Sequence, residues 1–136
     1  MMTNIKDVLF LCPHGAAKSV LAMTYFAHLA KRAGLEVTAK NAGTEPDPVI
    51  NPKVEAHLKN EGFDLSGFIP PLLKEADFEQ ADLIVSIGCI EADQAPLDKP
   101  FLDWSDVPML SDDFQGSRDK IYAHVVTLVD ELAGKT

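Results

Sequence analysis

Short apolar runs alternate along this chain with stretches of helical spacing, and few folds accommodate that alternation. Val8 to Leu11 is apolar and stops at Cys12-Pro13-His14-Gly15, as a buried strand feeding a tight loop would. Ser19 to Lys31 carries Val20, Met23, Tyr25, Phe26 and Leu29 at helical spacing, with Gly34 placed as the stop. Glu36 to Ala42 reads as a second strand, Asn51 to Asn60 as a second helix closing at Gly62, and Leu83 to Ile87 as a further buried strand. Ile121, Val125, Leu128, Val129 and Leu132 mark one face of a long last helix ending at Gly134. Two Pro-richer stretches, Pro46 to Pro52 and Pro96 to Pro108, read as loops. The expected class is α/β, a parallel sheet covered on both faces, with ligands at the carboxyl ends of the strands. Cys12 lies at such an end.

Length and composition fit one domain spanning 1–136. The chain has 136 residues, 46% hydrophobic and 24% charged, and a mean hydropathy of +0.01. A chain of this size buries enough surface to fold without disulfide or metal staples. Lys plus Arg number 12 against 21 Asp plus Glu, a net charge of -9. That field repels nucleic acid and anionic membranes, so neither is an expected partner. The first apolar run is too short for a signal peptide, and no stretch approaches the length of a membrane span. A cytoplasmic location is expected, where Cys12 and Cys89 stay reduced and serve chemistry or core filling.

The informative segment is Cys12-Pro13-His14-Gly15-Ala16-Ala17-Lys18-Ser19: a thiol, a Gly-bearing turn, a cation and a hydroxyl between a strand and a helix N-terminus. Loop amides and the helix dipole can hold an anion, and Gly15 can take the positive φ that curls the chain. The same field favours a thiolate at Cys12, and Ser19 can donate to it. A nucleotide-binding P-loop would need glycine where Cys12 and Ala17 stand. The bland alternative is a structural cysteine at a strand end.

With its neighbours, the segment resembles the low-molecular-weight protein tyrosine phosphatases and the arsenate reductases that share their fold. Their signature is a strand ending in Cys, five residues, Arg, then Ser or Thr, and Cys12 and Ser19 fall on its first and last positions. Asn41-Ala42-Gly43-Thr44, Asn51-Pro52, Gly62-Phe63-Asp64-Leu65-Ser66 and Ala81-Asp82-Leu83-Ile84-Val85 follow in the family's order. The resemblance implies a three-layer, doubly wound, four-stranded parallel sheet. It implies that Cys12 attacks phosphorus, that residues 13 to 18 (Pro13, His14, Gly15, Ala16, Ala17 and Lys18) cradle the oxyanion, and that an Asp protonates the leaving group.

Three departures fall within that machinery. Lys18 replaces the Arg, keeping the charge and losing the bidentate grip. Pro13 deletes a backbone donor, and Gly15 replaces an Asn that braces the loop in such phosphatases. The family's Asp-Pro pair is interrupted in Trp104-Ser105-Asp106-Val107-Pro108, where Asp106 is the candidate acid and Asp103 the reserve. Trp104 either flanks the pocket or covers the core. His14 can add a second cation or donor. His28, His57 and His124 receive no role.

Cys89 follows the strand expected beside the first, close enough for a disulfide with Cys12. Thioredoxin-coupled reductases carry a third cysteine further on, where this chain reads Asp93-Gln94-Ala95-Pro96. Cys89 is therefore a candidate resolving or protecting thiol rather than part of a three-thiol relay. Cys12, His14 and Cys89 do not make a familiar metal set, and no cofactor is expected. The leading expectation is slow phosphomonoester hydrolysis, of phosphotyrosine or a phosphorylated small molecule. The alternatives are arsenate reduction with a small external thiol, or a non-catalytic protein that binds an oxyanion or senses oxidants.

Overall fold

The computed structural model describes residues 4–134. Four strands form one parallel sheet in the order β2-β1-β3-β4, with β1 Asp7–Leu11, β2 Thr38–Ala42, β3 Leu83–Ser86 and β4 Phe101–Asp103. The helices are α1 Lys18–Arg32, α2 Pro52–Asn60, α3 Glu75–Gln80 and α4 Phe114–Leu132. The chain order crosses from one side of β1 to the other, the arrangement that opens a crevice at the strand ends.

The lack of polar alternation in β1 and β3 follows from burial on both faces. Val8 and Phe10 of β1, with Leu83 and Val85 of β3, face the larger core, where Val20, Phe26, Leu58, Ile121 and Val125 also pack. Leu9, Leu11 and Ile84 face a smaller cluster with Ala42, Ala81 and Ala95. Phe10 anchors the larger core through rings 5.5 Å from Phe26 and 5.9 Å from Trp104. Trp104 thus covers the core, one of the two places expected for it.

Leu11 pairs with Ala42 on one side and Ser86 on the other, so three strands end level. The residues that follow, Cys12, Gly43 and Ile87, begin the loops of one face. β2 starts at Thr38, two residues later than its apolar pattern suggests, where the Thr38 amide first meets the Lys6 carbonyl at 2.7 Å. Two elements escaped the sequence pattern. Helix α3 is six residues long and buries none fully. Strand β4 lies inside the Pro96 to Pro108 stretch expected to be loop; it is a three-residue edge without a fully buried side chain. It is held by β3 register and by the Trp104 amide on the Ser86 carbonyl at 2.8 Å.

Candidate active site

The loop 12–17 leaves β1 and enters α1, and its peptide groups are sorted by polarity. The carbonyls of Pro13, His14 and Ala16 accept from the amides of Glu45, Asp47 and Asn51 at 2.8, 3.0 and 2.9 Å. The Gly15 carbonyl accepts from the side-chain amide of Asn41 at 2.9 Å. In a planar trans peptide the N–H points opposite the C=O, so the amides of residues 14 to 17 turn the other way. Of these, among the described residues, only Gly15 spends its N–H internally, on the Cys12 carbonyl at 3.3 Å. The amides of His14, Ala16 and Ala17 remain as donors. Gly15 takes φ +59°, the turn its place in the loop required.

Helix α1 adds to this cradle because its N-terminus has no side-chain cap: Ala17 stands at the cap position. By contrast, Asn51 caps α2 by accepting from Lys53 and Val54, and Asp113 caps α4 by accepting from Gly116. An uncapped helix start with free amides is an anion site in waiting.

Cys12 is 3% exposed, at the floor of the loop. Its Sγ accepts from the Ser19 amide at 3.3 Å and lies 3.0 Å from the Ser19 hydroxyl. Asn41 donates to that hydroxyl oxygen at 3.0 Å, so the hydroxyl hydrogen is free to point at sulfur. Asn41 thus braces both the loop and the serine. It is one of five buried polar or charged side chains among the described residues, and sequence reasoning gave it no role beyond its place in the resemblance. A polar residue at the inner end of a strand was the available signal.

A cavity of about 270 Å³ opens above the thiol, lined by Cys12, His14, Lys18, Asp47, Asn51 and Gly88 among others. Met109, Leu110 and Ser111 complete its rim. Lys18 Nζ approaches Gly88, where a Cβ would lie 3.4 Å from the ammonium. Among the described residues Lys18 makes no ion pair, so its charge is free to face an anion. Neither arginine lines the cavity. Arg32 closes α1 at its far end. Arg118 bonds Glu61 and Tyr25 at 2.8 and 3.1 Å and lies against the rings of Tyr25 and Tyr122.

Cys89 follows β3 in a turn built on Ser86, whose hydroxyl accepts from the Cys89 and Ile90 amides at 3.2 and 2.9 Å. Both cysteines are free thiols. Burial pushes the Cys89 thiol up; Cys12 adds to that, while Thr44 and Lys18 pull against it. Its Sγ lies 3.9 Å from the Thr44 hydroxyl. The two thiols follow neighbouring strands, Cys12 after β1 and Cys89 after β3.

Asp106 is not brought to the cavity. His124 on α4 holds its carboxylate at 3.0 and 3.1 Å and Lys120 at 3.4 Å. Burial opposes its ionised form, but His124 and Lys120 outweigh that and hold the carboxyl below its ordinary range. These contacts engage the carboxylate on the α4 side, and Asp106, expected beside the thiol, is not among the residues lining the cavity. The reason is His124, given no role from its helical pattern: its ring stacks on Trp104 at 4.8 Å and 10°. Asp103 does not line the cavity either, and accepts from the Ser105 amide at 2.9 Å.

The family model described as Low molecular weight phosphotyrosine protein phosphatase matches residues 7–135. The chain belongs to this family. A curated relative in Halobacterium salinarum, described as "Putative arsenate reductase", is 30% identical over 130 residues, 90% of each chain. Among solved structures, the thioredoxin-dependent arsenate reductase of Corynebacterium glutamicum superposes with a TM-score of 0.81 at 26% identity. The match covers 100% of this chain and 66% of that one. The arsenate reductase of Archaeoglobus fulgidus gives 0.71 at 27% identity, covering 93% and 98%. Low-molecular-weight phosphatases and arsenate reductases are both enzymes, and this member of the family is one too. Among its described residues no helix is long and apolar enough to cross a membrane.

Proposed function

We propose that the protein hydrolyses small phosphomonoesters, aryl phosphates such as phosphotyrosine among them, with Cys12 as nucleophile. One observation carries this reading: the Cys12 thiol, bonded to Ser19, forms the floor of a small cavity walled by free amides, an uncapped helix start and the Lys18 ammonium. Sulfur attacks phosphorus, the S–P bond forms as the ester P–O bond breaks, and water then releases phosphate. Dipoles and one ammonium stand where the family signature has a guanidinium, so the equatorial oxygens are held less firmly and turnover is slow. The chain's net charge of -9 favours small or neutral-bodied esters over acidic phosphopeptides, and added salt relieves that repulsion. Two free thiols suit a reducing, cytoplasmic setting.

Hydrolysis of an aryl phosphate that disappears in Cys12→Ser and rises in Lys18→Arg is the expected result. No hydrolysis at any pH between about 5 and 8 refutes it.

A second reading is favoured by the position of Cys89. Arsenate can take the same cradle: Cys12 Sγ bonds arsenic as water leaves, the thiolate of Cys89 or of a small external thiol then attacks Cys12 Sγ, and the S–As bond breaks with its electron pair left on arsenic, so that two thiols become one disulfide as arsenate becomes arsenite. In support stand the arsenate reductases similar to this chain. Arsenate-dependent consumption of added thiol tests it; its absence with glutathione-type and thioredoxin-type donors alike removes it.

A further inference from the structure

With Asp106 gripped by α4, the hydrolase reading leaves the leaving group without a proton donor. Asp47 is the one carboxylate among the residues lining the cavity, and His14 lies beside it. We propose that His14 is the proton donor to the leaving group, with Asp47 and Glu45 as its positioning residues. The inference rests on the hydrolase reading and gives that site its missing acid.

The ring is held in one orientation. Nδ1 lies 3.0 Å from the Glu45 carbonyl oxygen and 3.5 Å from Asp47 Oδ1. A carbonyl only accepts, so Nδ1 carries a hydrogen, and the neutral ring keeps its lone pair on Nε2. Nε2 has no partner among the described residues. The same segment holds the backbone, because the Asp47 amide donates to the His14 carbonyl at 3.0 Å. Side chain and main chain of His14 are thus tied to residues 45–47, and the nitrogen left over belongs to a ring that lines the cavity above Cys12. The titratable groups sharing this space are Asp47 from the β2–α2 connection, Lys18 from α1 and Cys12 on the floor, with Cys89 beyond Gly88. The rim after β4 contributes Met109, Leu110 and Ser111, none of which titrates.

The proton traffic balances. As Cys12 Sγ bonds phosphorus and the ester P–O bond breaks, the Nε2 proton of the protonated ring passes to the departing oxygen, giving the neutral alcohol or phenol. The ring, now neutral, takes a proton from the water that attacks the phosphocysteine. The S–P bond breaks, phosphate leaves, and both Cys12 thiolate and protonated His14 are regenerated. The sum is ester plus water giving alcohol plus phosphate, with no change of oxidation state.

A pair of esters separates this role from a structural one. Phenyl phosphate has a leaving group that needs a proton; 4-nitrophenyl phosphate has one that scarcely does. On the full chain, His14→Gln is expected to lower kcat/KM for phenyl phosphate about 100-fold and for 4-nitrophenyl phosphate less than about fivefold. Asp47→Asn is expected to give a smaller loss with the same preference between esters. The ring is 61% exposed, so the melting temperature of His14→Gln stays at the parent value. Equal losses on both esters, no loss on either, or the selective loss in Asp106→Asn instead of His14→Gln each overturn the assignment. Failure of the parent chain to hydrolyse either ester, or hydrolysis that survives Cys12→Ser, overturns the hydrolase reading itself and His14 with it.

Discussion

Gly43 is where the cradle is most sensitive to a single methyl group. A Cβ there would sit 2.6 Å from the Gly15 nitrogen, 2.8 Å from the Pro13 oxygen and 2.9 Å from the His14 carbonyl carbon. All three are backbone atoms, and the shortest contact falls about 0.8 Å short of the 3.4 Å at which contact becomes ordinary. Gly43 cannot retreat cheaply, since its N–H donates to the Pro71 carbonyl at 3.0 Å and its carbonyl accepts from Leu73 at 2.9 Å. The loop must move instead, and with it the amides that face the anion. Overpacking of this kind costs about 2 kcal/mol. Unfolding entropy of about 2.1 cal/mol/K per residue makes that a fall of about 7 °C in Tm for a chain of this length.

The assay pairs Gly43→Ala with Leu58→Ala, which opens a cavity under α2 at a residue with no exposure and costs about 2–5 kcal/mol. Each is melted, and each is alkylated at Cys12 with and without inorganic phosphate, well below its Tm. Gly43→Ala should lose about tenfold in phosphate protection, the worth of roughly one charge-assisted amide bond, while Leu58→Ala keeps it. A Gly43→Ala protein that melts within about 1 °C of the parent and keeps full protection refutes the reasoning, as does equal loss of protection in both.

Two further outcomes follow from the titrating groups. Alkylation of Cys89, mapped by peptide mass spectrometry, should titrate above the ordinary thiol range, and Cys12→Ser should bring it down by removing one of the charges that raise it; an unshifted titration in that variant refutes the coupling. Burial opposes ionisation of Glu61, but hydrogen bonds from Tyr25 and Arg118 outweigh it and hold the carboxyl below its ordinary value. The stabilisation is then present above the unfolded-state pKa and lost as pH falls through the folded one. Glu61→Gln should accordingly flatten the loss of denaturant stability below about pH 5, and an unchanged acid limb counts against the Glu61–Arg118 pair.

The sheet was legible in the sequence because buried parallel strands leave an unambiguous trace. Val8 to Leu11 and Leu83 to Ile87 are covered on both faces and could hardly be anything else. Strand β4 and helix α3 left no such trace, since an edge strand of three residues and a surface helix of six bury too little to impose a period. At the site, the thiol, the turn and the cation lie within eight consecutive residues, so their convergence needs only a strand, a loop and a helix. The support is long-range and was not legible. Asn41 reaches Gly15 and Ser19 across 26 and 22 residues, and Glu45, Asp47 and Asn51 hold the loop's carbonyls. Asp106 shows the limit from the other side: proximity in sequence to Pro108 suggested an acid, and a ring 18 residues further on claims its carboxylate.

That ring has a consequence for how the protein can be watched. Trp104 is the chain's single tryptophan, and it lies flat on His124, the residue that also grips Asp106. Indole emission responds to the polarity and placement of whatever group is stacked on its face. The molecule therefore carries its own optical gauge of the turn after β4, a segment whose continuation, Met109 to Ser111, forms one wall of the cavity. Its reading needs no label and no reaction at Cys12, so movement of that wall can be followed in the resting protein.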